Sequence, residues 1–441
     1  MAVAPLAQLP LILVLAALPL AAASGAAEEF ESVPPRAPAE LLPADMVAGP
    51  DFHIQDPVLG DGLMNRFVLE SRFGTFEAYG RQALASRIRE VAALRELAKT
   101  SDVETAAGGV VQGVAAQVKT ATTVVTHPVA TVSGIPKGIA HLFSGYRARG
   151  EEAVAEAKKD VADARNGVGS AGAAGASPGA GDAVAHAAER GGHAAQSYAE
   201  RYLGVTAAER DYYRRLGVDP YTDNRVLRDA IRHAAKIRAA AGFGMKFAAL
   251  PAIPGIALTQ RTVDAIYNED PAVIRRRTRA TLASYGLTPA EIGSFLDAPL
   301  LSPTRQLQLL SAAAALAGVA GRGELFRHSI GLASLEEVQV YLASVGLLVL
   351  AHASAPLTSI VSGVRLPTAR GADGRLVVCA AFESIYWTEA VAGLEAQLRA
   401  ALPADPPASV REAWVAGTLS SRARAALESR GWALHPQNLP P

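Results

Sequence analysis

Glu324 and His328 stand four residues apart and Ser329 follows directly, so one helical turn could gather a carboxylate, an imidazole and a hydroxyl. That is hydrolytic chemistry: a base takes a proton from a hydroxyl or water, and a carboxylate orients the base. Proximity alone does not make a site, and an i,i+4 pair of this kind is commonly a simple side-chain hydrogen bond. His352 with Ser354 offers the same types with no better spacing. The stronger chemical signatures do not occur. There is no phosphate loop, no G-x-G-x-x-G after a strand, no H-E-x-x-H and no G-x-S-x-G. Cys379 is the only cysteine, so a thiolate zinc site and an intramolecular disulfide are both out of reach. The expectation is therefore no metal and no cofactor.

The second grouping is basic. Arg225, Arg228, Arg232 and Lys236 recur at i,i+3/i+4 spacing, opposite the apolar face of Leu227, Ala230, Ile231, Ala234 and Ile237. If that apolar face buries against the C-terminal part of the chain, the four cations form a stripe in water. Such a stripe suits an anionic membrane surface or an acidic protein partner. Between Arg201 and Arg279 there are 15 Lys/Arg and 8 Asp/Glu, with Arg275, Arg276, Arg277 and Arg279 the densest run. A nucleic-acid partner is not expected, because neither a recognised motif nor interleaved aromatics accompany these cations. The whole chain, at net charge +0, gives no global attraction to polyanions either.

The element that must carry the stripe lies within Asp211–Leu258. It opens with Tyr212, Tyr213, Arg214 and Arg215, turns at Leu216-Gly217-Val218-Asp219-Pro220, and restarts as a helix that Thr222 or Asp223 can cap. Gly242 and Gly244 are placed to end that helix. The opening DYYRRLGVD resembles the first helix and turn of J-domain co-chaperones. That family carries His-Pro-Asp after its second helix, whereas Ala241-Gly242-Phe243-Gly244 stands here and no His-Pro-Asp occurs in the chain. Co-chaperone activity is not expected.

At 441 residues the chain can hold two or three domains with real cores. Residues 1–26 read as a secretory signal: Leu9–Leu20 is the apolar core, and Ala21-Ala22-Ala23 or Ser24-Gly25-Ala26 is the small-residue cleavage site, although no Lys or Arg precedes it. Residues 27–50 are an acidic, proline-rich leader. Residues 51–165 read as a hairpin, alternating over Arg66–Ser71 and Thr75–Tyr79, followed by helices, Arg81–Lys99 the clearest. Asn166–Asp182 is a Gly/Ala linker of low complexity. Residues 183–402 read as a larger helical domain with a hairpin near 360–382, and 403–441 as a helical extension. Helix starts are signalled at Thr288, Ser302, Ser334, Thr388 and Ser409. Val338–Val364 carries no formal charge, which suits a buried core helix or a membrane span. The Ser334 cap and the polar Gln339, Ser344 and His352 favour the core. The fold class expected is mainly α with small β elements (α+β).

Two functions follow. One is a non-enzymatic, exported envelope protein, periplasmic or extracellular, that docks through Arg225, Arg228, Arg232 and Lys236. The other is a periplasmic hydrolase whose site is assembled from residues distant in sequence. A deep polar pocket lined by a histidine and a carboxylate would favour the hydrolase. A continuous basic face over 225–279 without such a pocket would favour docking.

Overall fold

A computed structural model describes residues 29–99, 135–144, 205–237, 253, 256, 258–403, 410–437 and 439. The expected signal segment, the linker at 166–182, the segments 147–165 and 183–202 and the Gly242–Gly244 helix end lie outside these residues. The fold is that of Glu31–Pro441, a compact unit distinct from Met1–Phe30.

Two one-turn helices, α1 (Pro38–Leu41) and α2 (Ala44–Val47), lead into β1 (Ala48–Gly49), β2 (Phe52–Ile54), β3 (Leu59–Gly60), β4 (Asn65–Ser71) and β5 (Gly74–Tyr79). In β4 the side chains alternate, Phe67 and Leu69 inward and Arg66, Val68 and Glu70 outward, so one face needs a cover. That cover is α3 (Arg81–Ala98), which sets Leu84, Val91, Leu94 and Leu97 against β4 and β5. β4 is central and antiparallel to β2, β3 and β5. The N-terminal β structure is thus a five-stranded sheet, where the sequence reading expected a hairpin alone.

The short α4 (Lys137–Leu142) inserts Ile139 and Leu142 fully into the larger core, and Phe143 stacks on Phe382 with ring centroids 5.4 Å apart. After it, α5 (Ala207–Leu216) starts at a capping box of Thr206 and Glu209 and stops at Gly217, whose φ of 67° suits glycine. Next comes α6 (Arg225–Ile237). Its start is bonded by Asn224, whose Oδ1 accepts from Leu227 N at 3.2 Å, while Thr222 Oγ1 accepts from Asn224 N. Leu227, Ala230, Ile231 and Ala234 bury against α3 and α5, in a core shared with β4 and β5. This face packs on the C-terminal part through Tyr212, Tyr213 and Leu216 of α5, as expected, and also on α3, which precedes the linker. Residues on both sides of 166–182 therefore share one core.

The helices α7 (Gln260–Asn268), α8 (Pro271–Ser284), α9 (Pro289–Asp297), α10 (Pro303–Ala315), α11 (Gly323–Ile330) and α12 (Leu335–Ser354) follow. Thr259, Asp270, Thr288, Ser302 and Ser334 each accept a backbone N–H at the start of one of them. Helix α12, 20 residues with mean hydropathy 1.3, is long and apolar enough to cross a membrane. Here it packs against α10, α4 and the second sheet, with Tyr341, Val345 and Leu348 fully buried. Its Glu337 is also fully buried: Oε2 accepts from Ala333 N at 2.6 Å, and Oε1 lies 2.7 Å from His141 Nδ1, which ties α4 to α12.

The second sheet runs β12-β10-β8-β7-β6 and is built from β6 (Leu357–Ile360), β7 (Thr368–Gly371), β8 (Leu376–Ala380), β10 (Arg411–Val415) and β12 (Trp432–Pro436). β6 and β7 are antiparallel, but β8, β10 and β12 are mutually parallel, joined by α13 (Glu389–Ala401) and α14 (Ser421–Ser429). A third, two-stranded sheet pairs β9 (Ser384–Ile385) with β11 (Thr418–Leu419). With three sheets and parallel β-α-β crossovers, the chain is mixed α/β, which overturns the mainly α class expected from sequence. The reading of 403–441 as a helical extension holds for Ser421–Ser429 but not for Arg411–Val415. Arg411–Val415 is a strand between two parallel neighbours, and the capping-box pattern at Ser409 has no helix after it.

Candidate functional site

The sequence-predicted groupings do not converge. His328 is fully buried, and desolvation together with Arg365 and Arg327 pulls its pKa down to about 4; Glu324 Oε2 lies 3.9 Å from its Nε2. A ring so buried has no room beside it for a substrate. His352 Nδ1 accepts from Leu357 N at 3.1 Å, closing the turn after α12. On the stripe, Arg225 and Arg232 are exposed and Arg228 half-buried, while only the backbone of Lys236 is described. Arg232 already pairs with Asp229 at 3.2 Å and with Glu209 at 3.6 Å. Farther on, Arg275 is held by Asp297 and Leu296 O, and Arg277 by Glu269. The basic segment is thus interleaved with carboxylates. Among the described residues no group of three or more His, Cys, Asp and Glu could hold a metal ion.

What the fold does assemble is a cleft that no sequence motif announces. Its lining comes from residues as distant as Met64 and Leu439, around an open space of about 1100 Å³. One end is built where the parallel strands stop. β8 ends at Ala380 and β10 at Val415; Ala381, Glu383 and Ala416 beyond them face the cleft, as does Leu439 beyond β12. The first turn of α3 meets them there. Gly80, the N-cap, has no side chain to satisfy the helix's free N–H groups, and Glu383 does so instead, its Oε1 accepting from Arg81 N. Glycine is required at position 80: φ is 91°, and an added Cβ would lie 2.5 Å from Met64 Cε and 3.0 Å from Glu383 Oε1. Glu383 Oε2 accepts from Asn65 Nδ2 at 3.3 Å, and Arg81 Nε is 3.8 Å from Oε1. The side chain is 9% exposed, and burial pushes its pKa up despite Arg81.

The other end lies along α3. Ser86, five residues past Arg81, is about 7.5 Å further along the helix axis. There the turn between α5 and α6 presents Asp219, and α10 presents Thr304 and Arg305. Asp219 Oδ1 accepts from Thr304 Oγ1 at 2.7 Å and from Tyr221 N at 3.0 Å. Desolvation pushes this carboxyl up as well, against the effect of those bonds and of Arg305. Between the ends the wall is largely apolar, with Met64, Ile253, Val340, Leu342 and Ala343.

A second, smaller chamber, also open to solvent, continues from this end and shares Ala83, Ser86, Asp219, Arg305 and Gln339 with the first. Its floor is a buried network around Glu90. Thr222 Oγ1 donates to Oε1, while Asn224 Nδ2 and Arg87 Nη1 donate to Oε2 at 2.9 and 2.8 Å. Arg87 reaches Asp223 as well, at 2.7 Å; burial opposes ionisation of Asp223, but this guanidinium outweighs it and holds the carboxyl below its usual range. Arg89 also faces the chamber, its Nε buried with no hydrogen-bond partner among the described residues and its basicity lowered by burial.

Sequence reasoning marked Asp219 only as part of a turn and did not mark Glu383 at all. A signal for the latter existed: Glu383 is the first charge after the unbroken apolar run Leu376–Phe382. Such a run reads as a strand buried on both faces, and ligands of open α/β sheets lie just outside the carboxyl ends of such strands. Neither the protein-family models, nor the curated proteins, nor the solved structures contain a match to this chain.

Proposed function

We propose that the chain is a small-molecule-binding protein whose ligand lies in the cleft beyond β8, β10 and β12. The observation that carries this reading is the position of the cleft. It opens where the parallel strands end, the first turn of α3 faces those ends, and an apolar wall runs between two polar ends. The test fills that space. Ala343 is half-buried on the cleft wall, so Ala343→Trp should occupy the cleft without disturbing the core. Thermal shifts of the parent are measured against a panel of small amphiphiles. A ligand at a hundred times its Kd stabilises by about 2.7 kcal/mol, and Ala343→Trp should abolish the shift. Equal shifts in parent and variant would place the ligand elsewhere.

One observation favours a hydrolase acting in the same cleft: Asp219 and Glu383 are both held above the ordinary carboxylate range, as a general acid requires. Docking through Arg225, Arg228, Arg232 and Lys236 is the weaker proposal, since Arg232 is committed to local carboxylates and exposed pairs of that kind contribute little. Reversing all four to Glu should leave cleft-ligand affinity unchanged; a large loss would return the stripe to the centre of the account. Export through the 1–26 segment is likewise a proposal, supported by its apolar core and small-residue site. The intact mass of the mature protein should place its start near Ser24 or Ala27, and a mass that retains Met1–Ala23 would contradict export.

A further inference from the structure

We propose that the second chamber is an anion site: Arg89 and Arg305 receive the phosphate or carboxylate head of an amphipathic ligand whose apolar body lies in the first chamber. The inference rests on the cleft reading above and deepens it to a ligand class. The argument is a comparison of the chamber's guanidinium groups. Arg87 is fully engaged by Glu90 and Asp223. Arg89 and Arg305 have no carboxylate within 4.0 Å among the described residues. Arg305 spends one N–H on Leu300 O at 2.8 Å, and Arg89 keeps a buried Nε with no hydrogen-bond partner among the described residues. A partly buried guanidinium N–H gains from an acceptor, and an anionic head group can supply one. The planar fork of Arg matches phosphate and carboxylate oxygens two at a time.

The neighbours fit an anion. Gln339 adds a donor; Glu90 and Asp223, which also line the chamber, are paired with Arg87, and Asp219, which desolvation favours in its neutral form, would not repel the head. The two chambers meet at Ser86, Asp219, Arg305 and Gln339, so a head held by Arg305 leads its body directly along Val340, Leu342 and Ala343 toward Glu383.

The experiment is calorimetric titration of the full chain with inorganic phosphate, hexyl phosphate, hexanoate and hexanol. Hexyl phosphate should bind more tightly than phosphate or hexanol alone. Comparing it with hexanoate decides which head is preferred, and either head binding above hexanol supports the inference. Arg89→Gln and Arg305→Gln should each weaken the preferred anion by about tenfold or more, as the loss of a charged hydrogen bond implies, and leave hexanol unaffected. Arg89→Lys and Arg305→Lys keep the charge but not the fork, and serve wherever a Gln variant melts early; a loss of severalfold is expected. Hexyl phosphate and hexanoate that bind no better than hexanol, or that ignore all four variants, would overturn the anion site while leaving the cleft standing. Failure of the cleft reading looks different: Ala343→Trp would then leave hexanol and both anions untouched.

Discussion

Gly417→Ala should displace Glu383 from the end of α3, and the structure sets the size of the effect. An ideal Cβ at position 417 would lie 2.0 Å from Glu383 O, 2.6 Å from its carbonyl carbon and 2.7 Å from its Cα. Ordinary carbon contacts start near 3.5 Å, so two backbone segments must part by about 1.5 Å. The colliding atoms are main chain, and no rotamer change relieves them. Two hydrogen bonds span the same gap, Gly417 N to Phe382 O at 2.9 Å and Thr418 N to Glu383 O at 3.0 Å. Losing both costs about 2 kcal/mol net, and forced separation of packed segments adds about 1–3 kcal/mol. The expected destabilisation is therefore about 3–5 kcal/mol, or roughly 6–20 °C in Tm at the 2–4 °C per kcal/mol of a chain above 150 residues. Calorimetric melting of the full chain measures it. Gly431→Ala is the control: φ is 83° and nothing lies within 4 Å of its added Cβ, so only the left-handed backbone is penalised, by about 1–2 kcal/mol. A Gly417→Ala protein that melts within about 2 °C of the parent would refute the close apposition of the β8 and β10 ends on which the site depends.

Two further outcomes follow from the cleft. Asp219 faces Arg305, Thr304, Glu90, Tyr213 and Tyr267, and its folded pKa is raised by desolvation, so its neutral form fits the fold better than its anion. Stability linked to it is full below the unfolded value near 4 and falls as pH rises through the folded value; Asp219→Asn, which keeps an acceptor for Thr304, should therefore be more stable than the parent at pH 7 and lose that advantage near pH 4, and a pH-independent difference in urea midpoints would contradict this. Glu90→Ala leaves Arg87, Thr222 and Asn224 short of a buried acceptor and should cost about 3–5 kcal/mol in urea unfolding, against a smaller loss for Glu90→Gln, which keeps an acceptor oxygen; equal losses would mean that the retained acceptor contributes nothing.

How much of this was legible in the sequence depended on how local the cause was. Thr288, Ser302, Ser334 and Thr388 cap helices because an N-cap is a short-range bond between neighbours. The hairpin near 360–382, which contains β8, was legible, but the parallel pairing of β8, β10 and β12 was not, because it is not local. Leu376–Ala380 is buried throughout and shows no alternation, and Arg411–Val415 and Trp432–Pro436 are short strands defined by partners about twenty to thirty-five residues away. The cleft was hidden for the same reason, since Gly80, Asp219, Arg305 and Glu383 meet only when both sheets and α3 are in place. The stripe on α6 was legible as a pattern; what the pattern could not show is that Glu209, from the preceding helix, reaches Arg232.

The central claim is that function resides in the cleft between α3 and the strand ends. A crystal structure of the full chain soaked in hexyl phosphate tests it most directly. The account predicts density for the head between Arg89 and Arg305, with the chain along Leu342 and Ala343 toward Glu383. Density confined to the Arg225–Arg232 face of α6, with the cleft holding only water, would contradict it.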